Sequence, residues 1–122
     1  MRHVNAFGDD ARDDLDAVAL VDAMRTGRVS ATELVDAAIL RAEAVNPVLN
    51  GLAHARFDQA RTQAATASRQ GGYFDGVPTF IKDNVDVEGM PTMQGTDAWD
   101  PRPQTGHGDF ARFYLATGLI PL

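Results

Sequence analysis

The chain has 122 residues, 44% of them hydrophobic and 23% charged, and its formal net charge is -6. That length fits one small domain, and the apolar content is enough to bury a core. The acidic balance argues against nucleic acid and anionic membranes as partners, because both select basic surfaces. There is no cysteine, which excludes disulfides, thiolate metal ligands and a cysteine nucleophile.

We expect no signal peptide in the first residues. No apolar run between Met1 and Leu15 resembles a signal peptide, and no stretch approaches the ~18 apolar residues of a membrane span. We therefore expect a cytoplasmic protein. Residues 1–13 are predicted to be a polar arm, which could tether a homodimer or stay in solvent, and residues 14–122 form the rest of the fold.

The first helix is predicted from Ala17, Leu20, Val21 and Met24, whose i, i+3, i+4, i+7 spacing is that of one helix face. Gly27 is expected to end it.

A second helix begins at Ser30–Glu33, a capping box in which each side chain bonds the other residue's backbone N–H. Its buried face is predicted to consist of Val35, Ala38, Ile39 and Ala42. Asn46 and Pro47 are expected to end the helix, since proline removes a backbone donor. Residues 49–54 are a strand candidate.

A narrow stripe of Phe57, Ala60, Ala64 and Ala67 predicts a third helix, packed closely on a neighbour and ended by the glycines at 71–72.

From residue 77 onward the sequence predicts short strands and a long loop. Residues 77–82 predict a short strand, and a Gly- and Pro-rich loop follows over 88–108. Asp109 is expected to cap a last helix, with Phe110, Phe113 and Tyr114 in the core. Residues 119–122 are predicted to begin another strand.

This order favours an α/β fold, with N-terminal helices followed by the first strands of a mixed sheet covered by helices. Because the sequence stops within an apolar strand, we expect it to be the front part of a longer protein.

Lys82 ends the first predicted strand. Strand alternation places Phe80, Lys82 and Asn84 on one face and Asp83 on the other, so Lys82 and Asp83 are not expected to pair. If Lys82 faces the interior, burial disfavours the charged ammonium, and a neutral amine can accept a proton from a hydroxyl nucleophile. A solvated lysine at the end of an edge strand is the alternative.

The segment from Gly76 to Asn84, GVPTFIKDN, resembles the lysine segment of the amidase signature family, and Gly89–Thr96 is similar to that family's Thr-rich loop. The helical front, from Ser30 through Asn46-Pro47 to Asn50, resembles the family's N-terminal helices. The resemblance runs from about residue 15 to residue 122.

This resemblance implies a serine hydrolase of small-molecule amides that needs no metal or organic cofactor. In that family a serine nucleophile passes its proton through a second serine, held in a cis peptide, to a lysine. By this match Lys82 is the base, Asp83 and Asn84 support its segment, and Gly95 and Thr96 belong to a loop that faces the substrate.

The sequence departs from the family in its serines. It has only Ser30 and Ser68, expected in a helix cap and on a polar helix face, and no glycine-rich double-serine segment. The nucleophile, the relay serine and the oxyanion hole are expected beyond Leu122, so the 122 residues alone are predicted to be inactive. Two alternatives stay open: a short non-catalytic remnant that binds a partner, and part of a transamidation subunit.

Other candidates carry less chemistry. His3, His54 and His107 lack metal-ligand spacing, so we expect no metal site. His107 is interpreted as a loop histidine without a function, and Trp99 as a side chain that pins the long loop to the body.

Overall fold

The computed structural model describes residues 3–67 and 71–122. The elements are α1 (Ala17–Arg25), α2 (Ala31–Leu49), α3 (Phe57–Ala64), β1 (Pro78–Thr79), α4 (Asp109–Leu115) and β2 (Ile120–Pro121). The predicted order of three helices, strand, loop, helix and strand is confirmed, and with it the α/β class. The position predicted for Ser68 lies outside the described residues.

The beginnings of α1 and α2 follow local sequence. The Asp16 side chain caps α1 by accepting from the Ala19 N–H at 2.9 Å. The capping box of α2 is complete: the Glu33 N–H donates to Ser30 Oγ at 3.2 Å, and the Ser30 N–H donates to Glu33 Oε2 at 2.8 Å. The Ser30 hydroxyl, which donates to Glu33 Oε2 at 2.7 Å, and the Ser30 N–H lower the pKa of Glu33, because both bonds favour its carboxylate form.

The predicted end of α2 at Asn46 and Pro47 was wrong, because the helix continues to Leu49 with Pro47 inside it. Less than one turn follows Pro47, so its missing N–H removes only one helical bond near the end. Asn50 then closes the helix in the left-handed conformation, at φ +48°. The strand candidate at residues 49–54 was also wrong, since Leu49 is helical and residues 50–54 have no strand structure.

Two apolar clusters hold the fold together. The first joins α2 to α3 and β2, and the predicted alanine stripe supplies the close contact: Ala60, Ala64 and Ala67 are all buried. Its members are Val35, Ala38, Ile39, Ala60, Ala64, Ala67, Ile120 and Leu122. The second cluster joins α1 to α2 and to the residues beside the strands, and consists of Leu20, Val21, Leu34, Val77 and Leu119.

The two strands are parallel, with Pro78 opposite Ile120 and Thr79 opposite Pro121. The long loop and α4 form the crossover between them. The strand predicted over residues 77–82 is therefore present but shorter, and Lys82 lies three residues beyond its end. Just before β2, Gly118 adopts φ +95° and approaches the backbone of Asp75, which brings the two strands into register.

Arg41 on α2 holds the second half of the polar arm. Its guanidinium donates to both carboxylate oxygens of Asp10 and to the backbone carbonyls of Gly8 and Asp13. The bond from Arg41 lowers the pKa of Asp10, against the opposing effect of burial. The arm is thus fastened to the helical layer from Gly8 onward.

The predicted core face of α4 was wrong. Phe110 and Phe113 are 59% and 71% exposed, and only Tyr114 packs on the second cluster. Helical spacing places side chains on one face, but it does not supply a neighbour for that face. Asp109 is the first residue of the helix and the N-cap is Gly108. Trp99 is half-exposed rather than firmly packed.

Candidate active-site groove

An open groove of about 1520 Å³ runs between the end of α2, the segment after β1, the 90–97 part of the long loop and the end of β2. Every residue that the sequence singled out for the site lines it: Lys82, Asp83, Asn84, Gly95 and Thr96. The fold therefore brings together two sequence segments that were predicted to act together.

The alternation predicted around Lys82 is present in the burial of the side chains. Phe80, Lys82 and Asn84 are exposed towards the groove, whereas Ile81 and Asp83 are partly buried. The expectation of a buried Lys82 is not met within this chain. The physical reason is that its face of the segment looks into the open groove, away from the two apolar clusters.

Lys82 is the only lysine of the sequence. Among residues 3–67 and 71–122 it makes no ion pair and no side-chain hydrogen bond. As predicted, it does not pair with Asp83. Its backbone carbonyl accepts from the N–H groups of Asn84 and Val85 at 2.8 and 3.1 Å, so the chain turns sharply after the lysine.

Asp83 connects the lysine segment to the loop. Its Oδ1 accepts from the Met93 N–H at 2.8 Å and its Oδ2 from the Gly95 N–H at 3.2 Å. Its backbone carbonyl also accepts from the Gln94 N–H, at 2.9 Å. The sequence suggested a supporting role for Asp83 but could not identify these partners, because they lie 10 to 12 residues away.

Gly95 and Thr96 form the part of the loop beside the lysine segment. A Cβ added to Gly95 would meet no atom within 4 Å, so this position leaves space in the groove. The Thr96 hydroxyl accepts from the Ala98 N–H at 3.1 Å and keeps its own proton free to donate.

The long loop is ordered by its own bonds. The Gly89 N–H donates to the Gln104 carbonyl and the Gln104 N–H to the Met90 carbonyl, at 2.9 and 3.0 Å. His107 Nδ1 accepts from the Glu88 N–H at 3.0 Å. His107 therefore has a structural contact that the sequence did not predict.

The contribution of α2 to the groove was not predicted from the sequence. Val45, Asn46 and Leu49 from its last turns line one wall. The Asn46 side chain accepts from the N–H groups of Gly51 and Leu52, which folds the following loop into the same wall. The available signal was Asn50, a residue that tolerates the left-handed helix cap, but Pro47 suggested an earlier end.

Two kinds of site are absent from the described parts of the chain. No group of three or more His, Cys, Asp or Glu side chains there could hold a metal ion. No helix among the same residues is long and apolar enough to span a bilayer.

The sequence matches the family model described as Amidase over residues 33–122. Proteins named "Putative amidase AmiC" from Mycobacterium tuberculosis and Mycobacterium leprae are each 58% identical to it over 122 residues, which is 100% of this chain and 26% of theirs. The indoleacetamide hydrolase of Bradyrhizobium diazoefficiens is 40% identical over 88 residues, 67% of this chain and 17% of that protein.

Solved structures show the same fold. The 6-aminohexanoate cyclic dimer hydrolase complexed with substrate has a TM-score of 0.76 at 30% identity, covering 88% of this chain and 22% of its own. A bacterial aryl acylamidase of the amidase signature family has a TM-score of 0.72 at 25% identity, covering 88% and 24%. The chain spans about a quarter of the length of the curated relatives with 58% identity.

Proposed function

This chain belongs to the amidase family, and on that premise we propose that the complete protein hydrolyses carboxylic amides to an acid and ammonia or an amine. The observation that carries the proposal is the convergence of the lysine segment and the loop from Gly95 to Thr96 on one groove. Two sequence segments that resemble the same family's working parts are thereby placed at one location.

We assign Lys82 as the base. In the proposed reaction a serine hydroxyl attacks the amide carbonyl while its proton passes, through a second serine, to the Lys82 amine. The proton then moves to the leaving nitrogen as the C–N bond breaks, and water releases the acid from the acyl-serine. No metal or organic cofactor takes part in this scheme.

Lys82 must be uncharged to act in this way. The Lys82 side chain is exposed in the 122-residue chain, so further chain would have to cover the groove and remove water from the amine. The relatives, about four times as long as this chain, have the additional chain that such a cover requires. We propose that the cover also brings the nucleophile, the relay serine and the oxyanion hole.

The 122 residues alone are predicted to be inactive. Ser30 lies at the start of α2, where its hydroxyl donates to Glu33 at 2.7 Å in an exposed cap. A hydroxyl used in this way, on a residue that does not line the groove, is unsuited to attack a substrate there.

The groove favours an uncharged amide with an apolar acyl or aryl part. Its walls include the apolar side chains of Leu49, Phe80 and Met93, which suit such a part, and polar side chains are distributed around them at Asn50, His54, Lys82, Asn84, Thr96 and Asp97. Apolar walls with polar groups that fix orientation are typical of small-molecule sites. Relatives named for indoleacetamide and for the 6-aminohexanoate cyclic dimer act on amides of different shape, so both compounds belong in a substrate panel.

The test is ammonia release from indoleacetamide, p-nitroaniline release from p-nitroacetanilide, and the appearance of a free amino group when the ring of the cyclic dimer opens. We expect turnover by the complete protein and none by the 122-residue chain. Turnover by the short chain would refute the assignment of the nucleophile to further sequence. Ammonia release that requires a second subunit would favour the transamidation alternative, and binding without turnover would favour a non-catalytic remnant.

A further inference from the structure

The lysine segment and the Met93–Thr96 turn are fastened by one residue. Three consecutive backbone N–H groups, those of Met93, Gln94 and Gly95, all donate to Asp83. The first and third bond the two carboxylate oxygens and the middle one bonds the backbone carbonyl. Backbone N–H groups of a turn can bind an anion, and here those of Met93 and Gly95 bind the two oxygens of the Asp83 carboxylate.

The turn needs such an acceptor because of its backbone. Gln94 and Gly95 both have positive φ, +54° and +76°. Gln94 is not a glycine, so this conformation is strained and persists only where the surrounding bonds enforce it. The bonds to Asp83 come from both sides of Gln94 and are charge-assisted, which makes them the strongest contacts of the turn.

We propose that Asp83 is a positioning residue that sets the Met93–Thr96 turn against the Lys82 segment without acting as the counter-ion of Lys82. The geometry explains why Asp83 is not the counter-ion of Lys82. The Asp83 side chain lies on the partly buried face of the segment, and both of its oxygens already accept backbone N–H groups. Lys82 is on the opposite, exposed face.

In this arrangement Asp83 can position the segment without forming an ion pair with its neighbour Lys82. A carboxylate bonded to Lys82 would favour the charged ammonium and oppose its use as a base. A carboxylate on the other face can fix the position of the segment and leave the amine free. The kinetic consequence rests on the proposed function, in which Gly95 and Thr96 face the substrate: displacement of the turn should lower kcat by about tenfold or more, with a smaller effect on KM.

The experiment compares Asp83→Asn and Asp83→Glu with the control Asp86→Asn. Asp86 is an exposed carboxylate three residues later, and its side chain forms no hydrogen bond or ion pair among the described residues. The first readout is amide hydrogen exchange of Met93, Gln94 and Gly95 by NMR, which needs no activity. The second is kcat and KM of the complete protein with p-nitroacetanilide.

Asp83→Asn keeps one acceptor oxygen, and Asp83→Glu keeps the charge but moves it by one methylene. If Asp83 acts through position, exchange at Met93 and Gly95 rises about tenfold or more in both variants and is unchanged in Asp86→Asn. Unchanged exchange in Asp83→Asn would overturn the proposal. So would wild-type behaviour of Asp83→Glu, since charge alone would then be sufficient.

The two proposals can fail separately. If the wild-type complete protein releases no amine from any amide, the proposed function fails, while the exchange data still decide the role of Asp83. If the wild type is active and the exchange at the turn does not respond to Asp83, the positioning role fails and the amidase assignment stands.

Discussion

A graded series of glycine-to-alanine substitutions tests how the backbone builds the groove. Gly106 has open space around a new Cβ and no positive φ, so Gly106→Ala should change the free energy of unfolding by less than about 1 kcal/mol, in the stabilising direction. Gly95 also has open space but lies at φ +76°. Gly95→Ala therefore incurs only the left-handed backbone strain, about 1–2 kcal/mol.

Gly118 adds a collision to the strain. It lies at φ +95°, and a Cβ there would be 2.5 Å from Asp75 Cα and 2.6 Å from Asp75 N. Both atoms are backbone, so neither can rotate away. Overpacking of about 1–3 kcal/mol adds to strain of about 1–2, giving a loss of about 2–5 kcal/mol for Gly118→Ala.

Urea denaturation followed by circular dichroism at 222 nm measures the three values against the wild type. We expect Gly106→Ala to be the most stable of the three variants, Gly95→Ala to be less stable, and Gly118→Ala to be the least stable. Equal losses for Gly95→Ala and Gly106→Ala would refute the strained turn beside the lysine segment. A Gly118→Ala protein as stable as wild type would refute the close approach that sets the strand register.

Three further outcomes are expected. Ser30→Ala should destabilise the protein by about 1 kcal/mol in the same denaturation assay through loss of the α2 cap, and a change below about 0.3 would contradict the capping box. Asp10→Asn should cost about 1–2 kcal/mol at pH 7, the lower part of the range for charged hydrogen bonds, because the Asp10 side chain remains 27% exposed beside Arg41. Folding lowers the pKa of Asp10 from its ordinary 3.8. The difference in unfolding free energy between wild type and Asp10→Asn should therefore be constant above pH 3.8 and shrink as the pH falls through the lower pKa of the folded state. A difference that increased in acid would contradict the ion pair with Arg41. Ile120→Ala should lose about 2–5 kcal/mol, because Ile120 is 1% exposed in the first cluster, and near-wild-type stability would place β2 outside the core.

Local pattern was sufficient for the start and the buried face of α2. The capping box at Ser30 and the face of Val35, Ala38, Ile39 and Ala42 depend on residues three or four positions apart, and all of these features are confirmed. The alternation around Lys82 is also local, and the exposures of Phe80, Lys82 and Asn84 follow it.

Features that depend on a distant neighbour could not be predicted in this way. Phe110 and Phe113 have the spacing of a core face, but neither belongs to an apolar cluster of the described residues. The three N–H groups that converge on Asp83 come from a turn that no periodicity in the sequence connects to it. The exposure of Lys82 could not be predicted for the same reason. Alternation along the segment predicts which face Lys82 lies on, but the exposure of that face depends on what else covers the groove.

The most direct test of the account is the turnover of Lys82→Ala in the complete protein, with p-nitroacetanilide as substrate and circular dichroism as the check on folding. In the 122-residue chain Lys82 is exposed and forms no ion pair within the described residues, so Lys82→Ala should change the stability of that chain by less than about 0.5 kcal/mol. Loss of the base should lower kcat by about 100-fold or more. Turnover equal to that of the wild type in a folded Lys82→Ala protein would contradict the assignment of Lys82 as the base.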